Sequence, residues 1–86
     1  MLYRFSIHAL SEMKQRNISR EMVESVLANP EQIIPELHGR NVYQSKLDFG
    51  TGKLFLLRVV VVDNTEPAIV VTVYRTSKLS KYWRTE

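Results

Sequence analysis

The sequence predicts an α+β domain in which two short N-terminal helices pack on one face of a small antiparallel β-sheet. The first third of the chain contains two stretches whose apolar residues are three or four apart, a spacing typical of amphipathic helices. From Arg40 onward the pattern changes to alternation or to continuous β-branched runs, as expected for strands. Short turns separate these runs, so consecutive strands form an antiparallel meander that one helical layer covers.

A short strand and both helices are predicted before the middle of the chain. Residues 2–6 alternate in polarity, and Ser6 then serves as the N-cap of the first helix. Asn17 ends that helix in the left-handed conformation, and Ser19 caps the second helix. The second helix stops before Pro30, because proline disfavours helix in the residue that precedes it. The apolar helix faces consist of Ala9, Leu10, Met13, Met22, Val23, Val26 and Leu27.

Three longer strands are predicted in the second half, after a connector over residues 31–39. Residues 41–47 have mixed polarity, which favours a position towards a sheet edge. Residues 54–62 are apolar at nearly every position, so we expect a central strand covered on both faces. Residues 68–75 form the last strand. Turns at residues 50–52 and 63–67 join these strands.

Length and composition indicate one small domain over residues 1–86 with a thin hydrophobic core, to which a partner chain or an oligomer could add. The chain contains no cysteine, which excludes disulfides and thiolate metal sites and favours a reducing cytoplasm. No apolar run is long enough for a signal peptide or a membrane span. We therefore expect a cytoplasmic protein without a membrane partner.

The excess positive charge is concentrated towards the end of the chain. The net charge is +3, and residues 1–40 carry equal numbers of acidic and basic side chains, so the excess lies in residues 41–86. Cations and aromatic residues alternate there: Tyr74, Arg75, Lys78, Lys81, Tyr82, Trp83 and Arg84. This mixture is typical of surfaces that contact phosphates and bases. Alternatively, Tyr82 and Trp83 anchor the tail to the core while the cations stay solvated.

Arg58 and His8 are the other candidates for chemistry. Arg58 interrupts an apolar strand, where a guanidinium is costly unless it has an anionic partner or reaches an open groove. It is therefore a candidate phosphate ligand, and the structural alternatives are an internal ion pair with a glutamate and an arginine whose head group reaches solvent at a sheet edge. His8 opens the first helix, and imidazole exchanges protons near neutral pH, which suits general acid–base catalysis. It could equally be an exposed capping residue, and His38 has still weaker context.

Several enzyme classes require motifs that this sequence lacks. It has no glycine-rich phosphate loop, no nucleophile elbow, no paired-carboxylate motif and no metal-ligand spacing. The remaining side chains suit RNA cleavage by the 2′-hydroxyl, which needs a base, an acid and cations but neither metal nor cofactor. The candidate catalytic residues are His8, Arg58, Arg75 and Lys81. The candidate RNA-binding residues are Lys14, Arg16, Tyr74, Lys78, Tyr82, Trp83 and Arg84.

Short motifs resemble a family of small bacterial domains grouped with type II toxin–antitoxin toxins, near the BrnT and RelE/ParE-like superfamily. The segments that carry the resemblance are Ser6–Ala9, Arg16–Ser19, Val23–Leu27 with Asn29-Pro30, Arg58–Val60 and Thr72–Tyr74. The resemblance implies a RelE/BrnT-like fold, cleavage of free or ribosome-bound mRNA, and a small antitoxin that masks the site. It also points to cations at His8, Lys14, Arg16 and Arg75.

The sequence therefore leads to the hypothesis of a toxin with metal-independent endoribonuclease activity. ParE-like members of the superfamily act on gyrase, so a non-catalytic module that binds nucleic acid or inhibits a protein target is the first alternative. The second alternative is a structural protein whose basic tail only docks a partner subunit.

Overall fold

The computed structural model describes residues 1–85, which form a five-stranded sheet and three short helices. The strands are β1 (Tyr3–Phe5), β2 (Gln32–Glu36), β3 (Arg40–Asp48), β4 (Leu54–Val62) and β5 (Ala68–Thr76). The helices are α1 (Ile7–Gln15), α2 (Arg20–Ala28) and α3 (Leu79–Tyr82). The strand order in space is β1-β5-β4-β3-β2. The α+β class is therefore confirmed.

Side-chain caps fix the starts of α1 and α2. Ser6 Oγ accepts a hydrogen bond from the backbone N–H of Ala9 at 2.9 Å, and Ser19 Oγ accepts one from Met22 at 3.2 Å. Asn17 has φ 55°, the left-handed conformation expected where α1 ends. These contacts satisfy N–H groups that have no partner inside the helix, so the two predicted helix starts are confirmed.

The sheet differs from the prediction in two respects. Residues 32–36 are not a connector but the edge strand β2, which pairs antiparallel with β3 and so removes β3 from the edge. Proline is tolerated at Pro35 because an edge strand need not donate every N–H to a neighbour. The sheet is also mixed, because β1 pairs parallel with β5. From β1 the chain passes through α1 and α2 to β2 at the opposite edge, and the antiparallel strands β2 to β5 then return to β1.

One face of the sheet, the helix face, packs against α1 and α2. β4 contributes Leu57, Val59 and Val61 to this core, and all three are fully buried. Ala9, Met13, Val23, Val26 and Leu27 cover them from the helices. The 3–4 spacing of the helices thus meets the two-residue spacing of the strands in one apolar layer.

The opposite face, the tail face, is partly covered by α3 and residues 83–85. A smaller apolar cluster of Ile34, Val42 and Val60 lies here, with Tyr74 packed against it. Residues 56–61 of β4 are buried, so the prediction of a central strand covered on both sides is confirmed. None of the helices formed by residues 1–85 has the length and apolar character needed to span a lipid bilayer.

A bulge in β5 decides which face its last residues occupy. Val60 pairs with Thr72 but Val61 pairs with Val70, which leaves Val71 as an extra residue. The carbonyl of Val71 accepts a hydrogen bond from Ser6 Oγ at 2.8 Å, so the start of α1 holds the bulge in place. Because one extra residue reverses the alternation, the end of β5 presents Tyr74 on the tail face and Arg75 on the helix face.

Candidate functional site

A row of four polar side chains crosses the tail face. Gln32, Gln44, Arg58 and Tyr74 are directly opposite one another on β2, β3, β4 and β5, and we call them the polar row. Residues paired in this way project from the same face and touch. Gln44 Nε2 donates to Gln32 Oε1 at 2.8 Å, Arg58 Nε donates to Gln44 Oε1 at 2.8 Å, and Arg58 Nη1 donates to the Tyr74 hydroxyl at 2.6 Å.

Arg58 is the buried centre of the polar row. It is only 4% exposed, so its guanidinium has lost most of its water and depends on protein partners. Its Nη2 lies 3.7 Å from Oε2 of Glu36, whose side chain is 45% exposed. The sequence-based alternative of an ion pair with a glutamate is thus confirmed. That pair is longer than a hydrogen bond, so the Nη2 edge is the least firmly occupied part of the guanidinium.

Residues 79–85, which we call the C-terminal segment, cross this face and are held there through their main chain. Gln44 Nε2 donates to the carbonyl of Tyr82 at 3.2 Å. Gln32 makes two bonds to Arg84, as a donor to its carbonyl at 2.6 Å and as an acceptor from its N–H at 3.1 Å. The Tyr82 ring centroid is 4.4 Å from Arg58 Cζ, a cation–π contact that covers the guanidinium. The polar row therefore fixes the path of the segment.

A cleft of about 430 Å³, which we call the tail cleft, opens between β2 and this segment. Arg58 and Glu36 lie on the sheet side, and Lys81 and Arg84 belong to the opposite wall. Among the lining residues within 1–85, three cations thus face one carboxylate, and a concave surface with this balance attracts anions. Ile34, Pro35, Tyr82, Trp83 and Thr85 complete the lining.

Trp83 lies against the side chain of Lys46 on β3. Nζ of Lys46 is 4.0 Å from the centroid of the indole ring, and Trp83 is half-buried. Trp83 also lines the tail cleft, next to Tyr82. The indole ring therefore contacts β3 through Lys46 and also forms part of the wall of the tail cleft.

The predicted site residues divide between the two faces of the sheet. Arg58, Tyr74, Lys81, Tyr82, Trp83 and Arg84 lie together on the tail face. Arg75, Lys14 and Arg16 lie on the helix face, and His8 projects from α1 on that side with its side chain 63% exposed. Lys78 is exposed at the N-cap of α3. The sheet thus separates His8 and Arg75 from Arg58 and Lys81.

Glu12 holds two of the helix-face candidates. Its carboxylate accepts a hydrogen bond from Arg16 Nε at 2.6 Å and lies 4.0 Å from His8 Nε2. The bond from Arg16 holds the pKa of the Glu12 carboxyl below its usual value. Among the helix-face candidates, Arg16 therefore has an internal counter-charge.

Sequence reasoning missed Gln32, Gln44, Glu36 and Lys46. Gln44 had a usable signal, because a hairpin centred on the turn at residues 50–52 places position 44 opposite position 58. Gln32 and Glu36 had none, because they fall in the segment interpreted as a connector. Within residues 1–85, no group of three or more His, Asp or Glu side chains is placed to hold a metal ion.

The fold and the site define an α+β domain with a cationic cleft beside a buried arginine. Residues 5–75 match the model of the family described as a domain of unknown function, DUF4258, and the chain belongs to this family. Searches of the curated proteins and of the solved structures gave no significant match. The matched residues include the whole polar row, whereas Lys81, Tyr82 and Trp83 follow them.

Proposed function

We propose that this chain is the toxin of a bacterial toxin–antitoxin pair, RelE/BrnT-like in fold, and that it cleaves mRNA in the cytoplasm without a metal ion. One observation carries the proposal: a buried arginine, fixed by hydrogen bonds to Gln44 and Tyr74, borders a cleft whose other cations come from the C-terminal segment. Its expected partners are single-stranded or ribosome-bound mRNA and a small antitoxin protein.

Arg58 is suited to bind the scissile phosphate. Gln44 and Tyr74 set the plane of the guanidinium, so binding a phosphate requires little further ordering of the side chain. A phosphate oxygen at Nη2 would replace the long contact to Glu36 with a charge-assisted hydrogen bond. Lys81 and Arg84 add positive charge where the phosphorane becomes more negative.

The reaction requires one proton to be removed and one to be donated. The 2′-oxygen forms a bond to phosphorus while the bond from phosphorus to the 5′-oxygen breaks, which yields a 2′,3′-cyclic phosphate and a 5′-hydroxyl. In our proposal Glu36 accepts the proton of the 2′-hydroxyl, because its carboxylate is beside Arg58 and open to solvent. Lys81 or Tyr82, which line the same cleft, donates a proton to the leaving 5′-oxygen.

The aromatic side chains of the cleft suit an unpaired base. Tyr82 and Trp83 are neighbours in the wall, and bases of single-stranded RNA stack on such rings. Tyr82 also covers Arg58, so we expect the ring to shift when a phosphate binds. The proposal gives His8 and Arg75 no part in this reaction, because the sheet lies between them and Arg58.

The test is cleavage of end-labelled single-stranded RNA in the presence of EDTA, with product ends mapped. We expect Arg58→Lys to lower the cleavage rate about 100-fold, as when a preorganised donor to a developing oxyanion is removed. Arg75→Lys is the matched control, since it makes the same change on the other face of the sheet. It should cleave at the wild-type rate, and both variants should keep the wild-type circular dichroism spectrum.

Equal cleavage by Arg58→Lys and wild type would contradict the site assignment. RNA binding without cleavage products would contradict the nuclease and favour the second candidate, a non-catalytic module that binds nucleic acid or inhibits a protein such as gyrase. That candidate is favoured by the burial of Arg58, which is 4% exposed beneath Tyr82 and acts as a structural tie if the ring does not move. Growth inhibition on induced expression, with intact RNA ends, would identify it.

A further inference from the structure

A second concave surface lies on the helix face, between the α1–α2 turn and the end of the β3–β4 hairpin. This helix-face cleft has a volume of about 700 Å³, within the range typical of ligand sites in proteins. Its apolar lining consists of Met13, Ile18, Met22, Phe49 and Phe55. Lys14 and Arg75 also line it. An apolar cleft with a few convergent charges is the usual form of a binding site.

Arg75 is held in this cleft by aromatic rings. Its Cζ lies 4.4 Å from the ring centroid of Phe49 and 5.1 Å from that of Phe55, and these two rings meet edge to face. Within residues 1–85, neither Arg75 nor Lys14 has a carboxylate within salt-bridge distance, unlike Arg16, Arg20 and Arg58. The cleft therefore presents the oriented guanidinium of Arg75 and the ammonium group of Lys14. No carboxylate within residues 1–85 pairs with either group.

The cleft continues past Arg75 as a groove. A second depression of about 560 Å³ shares Asn17, Phe55 and Arg75 with it and extends to Thr76 and Ser77. Because the two depressions share three lining residues, they form one continuous surface that suits an extended polypeptide segment. Two methionines in the wall adapt to apolar side chains of different shapes.

We infer that the helix-face cleft binds an acidic, apolar segment of a partner polypeptide, with a carboxylate paired to Arg75 and apolar side chains between Met13, Met22 and Phe49. Charge complementarity is the main argument, because two cations that have no carboxylate of residues 1–85 within salt-bridge distance border an apolar floor. RNA fits less well, because Arg75 already lies over the rings on which a base would stack. This inference does not depend on the nuclease, which is assigned to the other face.

The test uses the full-length protein and a library of random short peptides displayed on phage. We expect wild-type protein to select peptides in which Asp or Glu is flanked by apolar residues. Arg75→Gln protein should lose this selection, whereas Arg4→Gln, which removes an exposed arginine from β1, should retain it. For one selected peptide, changing its carboxylate to the amide should weaken binding about tenfold, the effect of losing one charge-assisted contact.

Each other outcome overturns the inference. Selection of no acidic peptides, or equal selection by Arg75→Gln, would show that the groove does not bind such a segment. Displacement of the selected peptide by a single-stranded oligoribonucleotide, with loss of RNA binding in Arg75→Gln, would assign the groove to RNA. Cleavage by Arg75→Gln is measured separately, so failure of this inference and failure of the nuclease proposal are distinguishable.

Discussion

The two faces of the sheet are built from alternate residues of the same strands, yet they are stabilised in different ways. On the helix face, Leu57 and Val59 are buried in a cluster of apolar side chains. Between them in sequence, Arg58 is buried on the tail face, where it depends on hydrogen bonds to Gln44 and Tyr74. Apolar burial tolerates approximate packing, whereas a buried charge requires nearly all its partners in place. We therefore expect the tail face to depend on a more exact arrangement of side chains and to contribute less to the free energy of unfolding than the helix face.

The two strand arginines show the same contrast. Arg58 has fixed donors to two side chains and a longer ion pair, so its orientation is set before any ligand binds. Arg75 is half-buried and lies on the rings of Phe49 and Phe55, which position it but leave its charge to be paired from outside. This contrast is why we propose a reaction at the first face and recognition of a partner at the second.

The largest expected effect comes from truncating a leucine on each face. Leu57 and Leu56 are adjacent and both 0% exposed, but only Leu57 packs under the two long helices. We expect Leu57→Ala to lower the free energy of unfolding by about 4 kcal/mol, near the upper end for such cavities. Leu56→Ala should cost about 2 kcal/mol, because α3 is four residues long and can move into the space.

Urea unfolding of both variants measures this difference. Leu54→Ala is the control, since Leu54 is 48% exposed on the same strand and should change stability by less than about 0.5 kcal/mol. If Leu56→Ala costs as much as Leu57→Ala, the tail face is as rigid as the helix face and the comparison does not hold.

A smaller effect is expected from breaking the polar row. Gln44→Ala leaves Nε of the buried Arg58 without its acceptor and removes the donor to Tyr82. We expect a loss of about 1–3 kcal/mol in the free energy of unfolding, as for other buried groups left without a partner. The C-terminal segment should also loosen, because Gln44, like Gln32, hydrogen-bonds to its main chain.

Trp83 reports that loosening directly, because it is the single tryptophan of the chain. Under native conditions, Gln44→Ala should shift its fluorescence to longer wavelength, whereas Gln15→Ala on the exposed side of α1 should not. Unchanged Trp83 emission in Gln44→Ala would show that the segment is held by contacts other than the polar row.

Local signals in the sequence predicted most of the elements but not how the faces are assigned. Ser6, Asn17 and Ser19 act over a few residues, and each does in the structure what its side chain favours. The β5 bulge could not be read in this way, because it depends on a contact from Ser6 to a distant strand. Without the extra residue, simple alternation would place Arg75 on the same face as Arg58. The sequence-based hypothesis of a single catalytic site containing both arginines requires that arrangement.

Strand β2 and the pairing of β1 escaped prediction for a similar reason. Pro35 reads as a break in local terms and is acceptable only because β2 turns out to be an edge. The parallel pairing of β1 with β5 joins residues 3–5 to residues 68–70, which are far apart in the sequence. No local sequence pattern indicates such a pairing. The sequence accordingly indicated the residues that the C-terminal segment brings to the candidate site. It did not indicate Gln32, Gln44 or Glu36, which depend on the strand pairing.

The smallest effect concerns a polar pair at the end of the helix face. The Tyr43 hydroxyl donates to Asp63 Oδ2 at 2.8 Å, and burial, followed by this bond and the charge of Asp63, raises the Tyr43 pKa to about 12. Tyr43→Phe should cost only about 1 kcal/mol at neutral pH, because Asp63 keeps two hydrogen bonds from Asn41. This pair is the helix-face counterpart of the polar row, with fewer partners to lose.

The contribution of this pair to stability depends on pH, and comparison with Tyr43→Phe isolates it from the other tyrosine whose pKa is raised, Tyr3. A tyrosine pKa near 10 in the unfolded chain and about 12 in the folded chain means that the unfolded state releases the proton first as pH rises. The contribution of Tyr43 to stability is therefore complete below pH 10 and is lost between about pH 10 and 12. Urea unfolding across this range should show a steeper decline for wild type than for Tyr43→Phe. Parallel declines would mean that neither burial nor the bond to Asp63 raises the pKa of Tyr43, and the contact between this hydroxyl and Asp63 would then contribute nothing to the stability of the helix face.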